Sequence, residues 1–333
     1  MTIRDTSNQL SPWSIPRDPE LIFSIEDLEK FLCQLGWDDP LIWLNHWNQL
    51  GGVKLAYSAW PTPVRNDWIW GLGLPFLSDL EHYLDGENNR VIFGISGLPG
   101  CGKTSFGKWL EAAASQLGWQ IAVISMDDFY LPAAQLEHAM SGNPWEVPRG
   151  LPGSHEIKLL ETSIDSWVET GDLHVPQFDK ALRNGLGDRC GWRHSKPKVL
   201  VLEGWFLGCT PSKNKIDILH FSDQMSELIS SKEQSYRNVV QESLNAYLPI
   251  WKRFERIWHL KAANFAATSS WKVQQEMHMQ KQRGTSLQGQ SLNSFIRMIQ
   301  NAIPQHDLQS IDAKFVVVLN KLRQIVWLGN KEN

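Results

Sequence analysis

Short, continuous apolar runs recur along the chain from residue 90 onward and are rich in valine and isoleucine. They read RVIFGIS, QIAVISM, KVLVLEGW, IDILHF and KFVVVLN. Their apolar positions follow one another without alternation, which is typical of strands that are buried on both faces of a sheet. Helical stretches such as 103–117 and 155–170 separate the runs. This strand–helix alternation predicts an α/β fold with a parallel sheet that is flanked by helices.

Residues 1–85 have a different pattern and predict a helical N-terminal extension. The segment SIEDLEKFLCQLG begins with Ser24 as a candidate helix cap, with Asp27 three residues further on and apolar residues at helical spacing. WLNHWNQL and LPFLSDLEHYL are further helix candidates, and two prolines interrupt the pattern between them. We therefore expect a helical extension over 1–85 and a second domain over 86–333.

The stretch from about residue 224 to 304 is long, mixed in charge and predicted to be helical. Tyr247, Trp251, Phe254 and Trp258 are spaced by 4, 3 and 4 residues, which favours one face of a helix that packs in the core or between domains. We expect this region to form helices and a mobile lid over the edge of the sheet.

Composition narrows the class of protein. The 333 residues are 42% hydrophobic and 20% charged, with a formal net charge of -4, so a sizeable core is expected and disorder is not. The chain lacks the overall positive charge that is typical of proteins that bind nucleic acids. Each apolar run is also shorter than the ~20 residues that span a bilayer. The first 20 residues lack the apolar core of a signal peptide, and the four cysteines lack zinc-ligand spacing. We expect a cytoplasmic protein with free thiols and with neither nucleic-acid nor membrane partners.

The segment GLPGCGKTSF, residues 97–106, carries the strongest chemical signal in the chain. It fits GxxxxGK[ST], follows a predicted strand and opens a predicted helix, which is the context that distinguishes a P-loop from a chance match. The backbone N–H groups can surround phosphates, the lysine can reach the β and γ phosphates, and the threonine can bind Mg²⁺. The predicted ATP-binding residues are Gly97, Gly100, Gly102, Lys103, Thr104 and Ser105. The fold class is therefore refined to a P-loop NTPase-type sheet.

Two other segments match nucleotide-binding motifs of GTPases. NKID at 214–217 fits NKxD, and DRCG at 188–191 fits DxxG, but neither follows an apolar strand as the GTPase motifs do. We interpret both as accidental turns.

Three carboxylates stand at the ends of predicted strands, where sites collect in open α/β sheets. Asp127 and Asp128 end the second run, in SMDDFY, and a carboxylate there can accept the proton of an acceptor hydroxyl. Either one could instead cap the next helix, so the choice of base between them is open, with Asp127 favoured. Glu203 ends the run VLVLEGW, as in a Walker B strand, and together with Thr104 it is a predicted Mg²⁺ ligand.

Together these three motifs resemble the phosphoribulokinase/uridine kinase family of P-loop small-molecule kinases. The resemblance implies that Asp127 is the catalytic base and that Glu203 supports Mg²⁺. Four further segments are similar to D-glycerate 3-kinases of the plant and cyanobacterial type: RGLPGSHEIKLL at 149–160, VPQFDKALRNGLGDR at 175–189, LEGWFLG at 202–208 and WKVQQEMHMQ at 271–280. The resemblance covers residues from about 90 to 320 and does not clearly extend over the first 85.

The sequence departs from the family pattern at two positions. Cys101 lies inside the P-loop, where only the backbone is needed. Lys272 stands where the pattern has arginine, and a lysine cannot form a bidentate clamp. We therefore do not expect an arginine-finger role at this position, whereas a role for its charge stays open.

Recognition of glycerate needs a cation for the carboxylate and polar groups for the two hydroxyls. Arg149 and His155 lie in the Gly/Pro-rich segment RGLPGSH, and Asp179 and Lys180 lie in a predicted loop, FDKALRNGLGDR. These four are the predicted acceptor-binding residues. His155 could instead cap the following helix, and the two arginines of the predicted loop are equally consistent with solvated side chains.

The predicted reaction is transfer of the γ-phosphoryl group of MgATP to a hydroxyl of D-glycerate, with 3-phosphoglycerate as the product. Lys103 would hold the phosphates, Thr104 and Glu203 would secure Mg²⁺, Asp127 would deprotonate the acceptor, and the lid would exclude water. A kinase of the same fold for uridine, pantothenate or ribulose 5-phosphate stays open, as does an ATP-binding switch or assembly protein. The resemblance, rather than the spacing of residues, selects glycerate.

Overall fold

The computed structural model describes residues 21–52, 54–55, 65–84, 90–211 and 229–330. Within them, a six-stranded sheet is accompanied by a two-stranded hairpin. The strands are β1 Val91–Gly97, β2 Ile121–Ser125, β3 Leu173–Asp179, β4 Asp188–Ser195, β5 Val199–Gly204, β6 Phe254–Ala262, β7 Phe315–Leu319 and β8 Ile325–Asn330. The helices are α1 Ile25–Gln34, α2 Pro40–Gln49, α3 Leu74–Glu81, α4 Lys103–Gln116, α5 Ala133–Met140, α6 Ile157–Thr170, α7 Ser231–Leu244, α8 Leu248–Trp251, α9 Ala267–Arg283, α10 Gly289–Asn301 and α11 Gln305–Gln309. A helical turn at Asn66–Trp68 and a π-helix at Ile69–Gly73 lead into α3.

The strand order in the large sheet is β2–β5–β1–β6–β7–β8. The first five of these strands run parallel, and β8 is antiparallel to β7. β5 is buried at every residue and β1 at all but its first, which explains their continuous apolar sequences. The predicted α/β class, with a mainly parallel sheet flanked by helices, is confirmed. One of the five predicted runs, IDILHF, lies outside the described residues.

Residues 254–262, which were expected within a helical region, form strand β6 between β1 and β7. That part of the prediction is wrong. The four aromatic residues at helical spacing fall on a short 3₁₀ turn, on α8 and on the strand that follows, so their spacing does not reflect one continuous helix. Aromatic and β-branched residues are equally suited to a strand. Here the segment forms a strand because it pairs with β1 on one side and with β7 on the other. The flanking parts of the region are helical as predicted, in α7, α9 and α10.

The N-terminal helices pack into the same continuous core as the sheet. Phe31 of α1 packs edge-on against Trp258 of β6 and Phe315 of β7, with ring centroids 5.5 and 5.4 Å apart. Asp79 of α3 is fully buried, accepts a hydrogen bond from the Trp258 indole at 2.9 Å and is paired with Arg256. The helical character of this part of the chain agrees with expectation, while a domain boundary at residue 85 stays a prediction.

The segment around Lys180 that was expected to be a loop belongs to a β-hairpin. Strands β3 and β4 pair antiparallel, and residues 180–187 connect them. Arg183 and Asn184 have φ angles of 54° and 56°, so the connection turns through the left-handed region. DRCG, interpreted as a turn, begins β4 instead, and NKID lies outside the described residues.

The structure also bears on the expected free thiols and on the expected lack of membrane-spanning segments. The four cysteines are free thiols, with Cys101 and Cys209 buried and the other two exposed. In the described ranges, every helix is too short or too polar to cross a membrane.

Candidate active site

The P-loop is the turn between β1 and α4, at the carboxyl end of a central strand. Gly100 and Gly102 have φ angles of 76° and 119°, which residues with a Cβ rarely adopt. A Cβ on Gly100 would lie 2.6 Å from the carbonyl oxygen of Trp271, and one on Gly97 would lie 2.9 Å from that of Leu260. Glycine is therefore required here by the turn itself and by the close approach of neighbouring backbone.

Lys103 opens α4 and has its ammonium group inside the loop. Its Nζ donates to the carbonyl oxygens of Gly97 at 2.6 Å and Leu98 at 3.2 Å, and the residue is 7% exposed. The side chain also lines the central cavity. The positive charge is thus held at the N-terminus of α4, where the helix dipole also favours an anion.

Thr104 and Glu203 meet beside the P-loop although they are far apart in sequence. The Thr104 hydroxyl donates to Glu203 Oε1 at 2.8 Å. Glu203 lies one residue before the end of β5, which pairs with β1, and is 4% exposed. In the described ranges, no cluster of three or more His, Cys, Asp or Glu could hold a metal by itself. The hydroxyl–carboxylate pair instead fits Mg²⁺, which takes few protein oxygens and completes its coordination with nucleotide phosphates.

The two aspartates after β2 have different surroundings. Asp128 accepts hydrogen bonds from the backbone N–H groups of Ser125 at 3.1 Å and Phe178 at 3.4 Å, so it caps the turn and ties it to β3. Asp127 lines the cavity, is paired with Lys180 and lies 4.0 Å from His155 Nε2. The geometry therefore favours Asp127 as the carboxylate that can meet an acceptor hydroxyl.

The pKa values of the two carboxyl groups differ as well. Burial raises the pKa of Asp128 to about 6, because its backbone hydrogen bonds only partly offset desolvation. Burial acts on Asp127 in the same direction, but the Lys180 ammonium and the His155 imidazole outweigh it and hold the pKa well below its usual range. Asp127 is therefore ionised at neutral pH.

Arg149 and Lys180, two of the four residues predicted to bind the acceptor, line the cavity. Arg149 is 2% exposed, and its Nη1 donates to the carbonyl oxygens of Gly185 and Leu186, both at 2.7 Å. These bonds anchor the guanidinium group to the hairpin connection. The two cations therefore share one end of the cavity with Asp127.

The other two predicted acceptor residues lie elsewhere. Among the described residues that line the cavity, neither His155 nor Asp179 is present. His155 is buried behind Asp127. Asp179 pairs with Arg283 at the end of α9, at 2.5 Å, and so joins the hairpin to that helix. The sequence pattern placed all four residues near one another but could not separate those that reach the cavity from those that support it.

The residues that close the other end of the cavity were not anticipated from the sequence. Arg65 and Trp68, which precede α3, line it together with Leu322 and Arg323 from the β7–β8 turn. Arg323 Nε donates to the Gly100 carbonyl oxygen at 2.7 Å, and Trp68 Nε1 donates to the Arg323 carbonyl oxygen at 2.6 Å. No local motif links these segments to the P-loop, since packing alone brings them together.

Helix α9 places Lys272 in the cavity lining, where the residue is 4% exposed. Its Nζ lies 2.5 Å from Glu276 Oε1 and 4.3 Å from the centroid of the Phe295 ring of α10. Burial lowers the pKa of Lys272 to about 8, although Glu276 opposes the shift. The departure from arginine thus leaves a cation in the site, but one that can lose its charge in mildly alkaline solution.

The cavity has a volume of about 540 Å³, within the range of ~300–1,000 Å³ that is typical of small-molecule sites. Six cationic side chains and two carboxylates line it: Arg65, Lys103, Arg149, Lys180, Lys272 and Arg323, with Asp127 and Glu203. This excess of positive charge suits ligands with several negative charges, such as a nucleoside triphosphate.

Comparison with curated proteins finds kinases. No protein-family model matches the chain. The uncharacterized kinase mug58 of Schizosaccharomyces pombe is 28% identical over 247 residues, which are 69% of this chain and 84% of that protein. The chloroplastic D-glycerate 3-kinase of Arabidopsis thaliana is 29% identical over 228 residues, which are 64% of this chain and 47% of that protein. The match therefore spans about half the length of the plant relative.

A solved structure agrees with these relatives at the level of the fold. The D-glycerate 3-kinase from Cryptococcus neoformans has a TM-score of 0.64 and 21% identity, covering 76% of this chain and 96% of that chain. The comparisons confirm the resemblance that the sequence motifs indicated. The chain has the α/β fold of P-loop kinases. Its curated relatives are named as kinases, and one of them is a D-glycerate 3-kinase.

Proposed function

We propose that this protein is a small-molecule kinase that transfers the γ-phosphoryl group of MgATP to D-glycerate and forms 3-phosphoglycerate. The observation that carries the proposal is the shared cavity of the P-loop, the Thr104–Glu203 pair and an ionised Asp127. These are the groups that phosphoryl transfer requires, namely a phosphate cradle, a metal position and a group that accepts the hydroxyl proton. The relative named D-glycerate 3-kinase supports the choice of acceptor.

The lining residues divide into two groups, which suggests how the substrates are oriented. Trp68 and Arg323 are connected by hydrogen bonds to the Gly100 side of the P-loop, and Arg65 lies three residues before Trp68 in the same lining segment. Asp127, Lys180 and Arg149 lie together at the other end of the cavity. The nucleotide base would therefore lie toward Trp68, and the acceptor would lie between Asp127 and the two cations.

This orientation predicts that Trp68→Ala raises the KM for ATP several-fold and leaves the KM for the acceptor unchanged. Trp68 packs directly on the P-loop, since a Cβ on Gly102 would lie 2.8 Å from its ring. Steady-state kinetics with each substrate varied in turn would measure both constants. An increase confined to the acceptor KM would reverse the assignment of the two ends.

The chain's own residues have distinct tasks in the proposed reaction. Lys103 and the P-loop N–H groups position the phosphates, and Arg149 and Lys180 attract the acceptor carboxylate. Asp127 receives the hydroxyl proton, and its low pKa suits a loose transition state in which that proton is lost late. Mg²⁺, bound beside Thr104 and Glu203, would neutralise charge that develops on the phosphate oxygens. Lys272 and Phe295, from α9 and α10, cover the cavity and help to exclude water.

Two alternatives are distinguished by the acceptor. A kinase of the same fold for uridine, pantothenate or ribulose 5-phosphate would keep the roles of the P-loop, the Thr104–Glu203 pair and Asp127. Arg149 and Lys180 would then meet the carboxylate of pantothenate or the phosphate of ribulose 5-phosphate, and would have no anion to bind in uridine. An ATP-binding switch or assembly protein would need no small acceptor, and the cationic acceptor end of the cavity argues against it. A cytoplasmic location is part of the same proposal, and free thiols are consistent with a reducing compartment.

A coupled ADP-release assay with MgATP tests the proposal. The acceptor panel contains D-glycerate, L-glycerate, uridine, pantothenate and ribulose 5-phosphate, and NMR determines the position of phosphate in the product. We expect strong stimulation by D-glycerate alone, with phosphate on carbon 3. Stimulation by another compound would replace the acceptor but keep the catalytic residues, and stimulation by none of them would favour the switch or assembly protein.

A further inference from the structure

His155 is a buried histidine that lies behind Asp127 as seen from the cavity. Its side chain has no exposed surface, and its ring stacks on Tyr130 with centroids 4.5 Å apart and an interplanar angle of 21°. The backbones of Tyr130 and His155 form a short antiparallel bridge, which the bond from Glu156 N to the Phe129 carbonyl oxygen at 2.8 Å extends. The imidazole is therefore fixed by its backbone and by its ring contacts.

The hydrogen bonds of Tyr247 indicate which ring nitrogen of His155 carries the proton. The Tyr247 hydroxyl oxygen accepts from Gly153 N–H at 3.0 Å and lies 2.8 Å from His155 Nδ1. The Ser154 hydroxyl lies farther from Nδ1, at 3.4 Å, and donates to the Leu151 carbonyl oxygen. Burial raises the pKa of Tyr247, so the hydroxyl keeps its proton, and burial lowers the pKa of His155, so the imidazole is neutral. The backbone N–H groups of Gly153 and His155 both face that oxygen as donors, so the hydroxyl proton is left for Nδ1. The proton of the imidazole itself is then on Nε2.

The Nε2–H group is aimed at Asp127. Nε2 is buried without a hydrogen-bond partner in the described part of the chain and lies 4.0 Å from Asp127 Oδ1. An unpaired buried N–H is unfavourable, so a closer approach of the Asp127 carboxylate that forms this hydrogen bond would be stabilising. The charged and titratable groups that face the imidazole are Asp127, Lys180, Tyr130 and Tyr247.

Lys180, which also pairs with Asp127, is less firmly held. Its side chain is 32% exposed and lines the cavity, so its ammonium group can turn toward a carboxylate or phosphate that enters. The attraction of an anionic substrate would then weaken the Lys180–Asp127 pair at the moment when Asp127 is needed. His155 cannot be drawn away, because it is buried and stacked.

We propose that His155, held in its Nε2–H form by Tyr247, is a positioning residue that orients the Asp127 carboxylate toward the acceptor hydroxyl. The inference rests on the proposed kinase reaction. In that step the acceptor O–H bond breaks and its proton passes to Asp127. The acceptor oxygen bonds to the γ-phosphorus, the bond from that phosphorus to the β–γ bridging oxygen breaks, and ADP leaves. His155 gains and loses no proton, and this role replaces direct contact with the acceptor.

Two substitutions at His155 separate positioning from packing. His155→Phe keeps the stacked ring and removes both nitrogens, whereas His155→Gln can place an amide N–H near the position of Nε2. We expect His155→Phe to lower kcat by roughly 10- to 100-fold with little change in either KM, since small misplacements of a catalytic group have effects of this size. His155→Gln should recover a large part of the loss. His46→Gln is the matched control, because His46 pairs with Glu81 at 2.8 Å in the N-terminal helices.

An unchanged kcat in His155→Phe would overturn the inference. A loss that falls only on the KM of the acceptor would overturn it too, because that pattern belongs to direct substrate contact. Equal losses in His155→Phe and His155→Gln, together with equally lowered melting temperatures, would reduce the role of His155 to packing.

Nitrogen-15 NMR of the histidine side chains tests the proton position without any acceptor and in the wild-type protein. We expect the Nε2–H tautomer at His155 and a shift of the tautomer balance in Tyr247→Phe. Tyr83→Phe is the control, since the Tyr83 hydroxyl donates to Glu255 at 3.1 Å and makes no contact with His155. An Nδ1–H tautomer in the wild type would overturn the inference even if D-glycerate is phosphorylated, whereas failure of every acceptor would overturn the kinase proposal on separate grounds.

Discussion

At the residue scale, two neighbouring aspartates after β2 divide structure and chemistry between them. Asp128 uses its oxygens to accept backbone N–H groups of Ser125 and Phe178, and Asp127 turns its oxygens toward the cavity and Lys180. Identical side chains therefore have different pKa values, because one is buried among backbone dipoles and the other lies beside a cation. Asparagine at position 127 should therefore lower activity more than stability, and asparagine at position 128 should lower stability more than activity.

Asp127→Asn is expected to lower kcat by roughly 10²- to 10⁴-fold and to leave ATP binding intact, because the proton acceptor is lost. Asp128→Asn should instead cost roughly 0.5–2 kcal/mol of stability through the weakened cap and keep most of the activity. Coupled ADP release, nucleotide titration and denaturant unfolding would measure the three quantities. Full activity in Asp127→Asn, or the larger kinetic loss in Asp128→Asn, would contradict the assignment.

The pKa of Lys272 predicts a pH dependence. An ammonium with a pKa of about 8 is present below that pH and lost above it, so kcat/KM for ATP should fall as the pH rises beyond about 8. Lys272→Arg should move this falling limb to higher pH, since arginine stays protonated. Lys281→Arg, an exposed position on the same helix, is the control and should leave the profile unchanged. Identical profiles for wild type and Lys272→Arg would show that the charge of Lys272 does not contribute to kcat/KM for ATP.

At the scale of elements, the P-loop depends on segments that are distant in the chain. Its turn is held against the backbone of α9 at Trp271 and is bonded to Arg323 of the β7–β8 turn. The glycines could be predicted from the motif, because phosphate binding requires a bare backbone. Contact of the loop with α9 also excludes a side chain at Gly100, and this second requirement could be seen only from the packing of the helix over the loop.

This packing predicts different outcomes for two glycines with nearly the same backbone angle. Gly100 and Gly118 have φ angles of 76° and 72°, but a Cβ would meet Trp271 at 2.6 Å in the first case and open space in the second. Gly118→Ala should cost ~1–2 kcal/mol of stability from the left-handed backbone alone and keep ATP affinity. Gly100→Ala should cost more and abolish tight ATP binding. Equal unfolding free energies, with ATP affinity retained in both, would show that contact with α9 does not constrain the loop.

At the scale of the whole molecule, the N-terminal helices and the sheet share one core. Phe31, Asp79 and Trp68 reach β6, β7 and the β7–β8 turn through ring contacts, an indole–carboxylate hydrogen bond and a bond to a backbone carbonyl. The helical pattern of residues 1–85 predicted a separate extension, and the family resemblance does not clearly cover it. Contacts of this kind favour cooperative unfolding of the two parts.

Phe31→Ala is therefore expected to destabilise the whole protein by ~3–5 kcal/mol and to keep a single unfolding transition, since it leaves a cavity against two sheet residues. Ile42→Ala, at a position in α2 that is 60% exposed, should change stability by less than ~0.5 kcal/mol. Denaturant unfolding followed by tryptophan fluorescence and by circular dichroism would test both. Two separate transitions in Phe31→Ala would instead support an independent N-terminal domain.

The sequence by itself determined the features that depend on residues adjacent in the chain. Continuous apolar runs identified β1, β2, β5 and β7. This holds because β1 and β5 are buried on both faces and need no polar positions, whereas β2 lies at the edge of the sheet with only alternate residues buried. The glycine-rich turn identified the P-loop, and acidic residues directly after buried strands indicated Asp127 and Glu203.

Only the tertiary structure decided the features that depend on long-range packing. It made residues 254–262 a strand, because pairing with β1 and β7 outweighs a spacing that also fits a helix. It turned Asp127 rather than Asp128 into the cavity and placed His155 behind it, because the hairpin and α6 meet the end of β2 from distant parts of the chain. It also closed the cavity with Trp68, Lys272 and Arg323, since contacts between segments hundreds of residues apart leave no local pattern in the sequence.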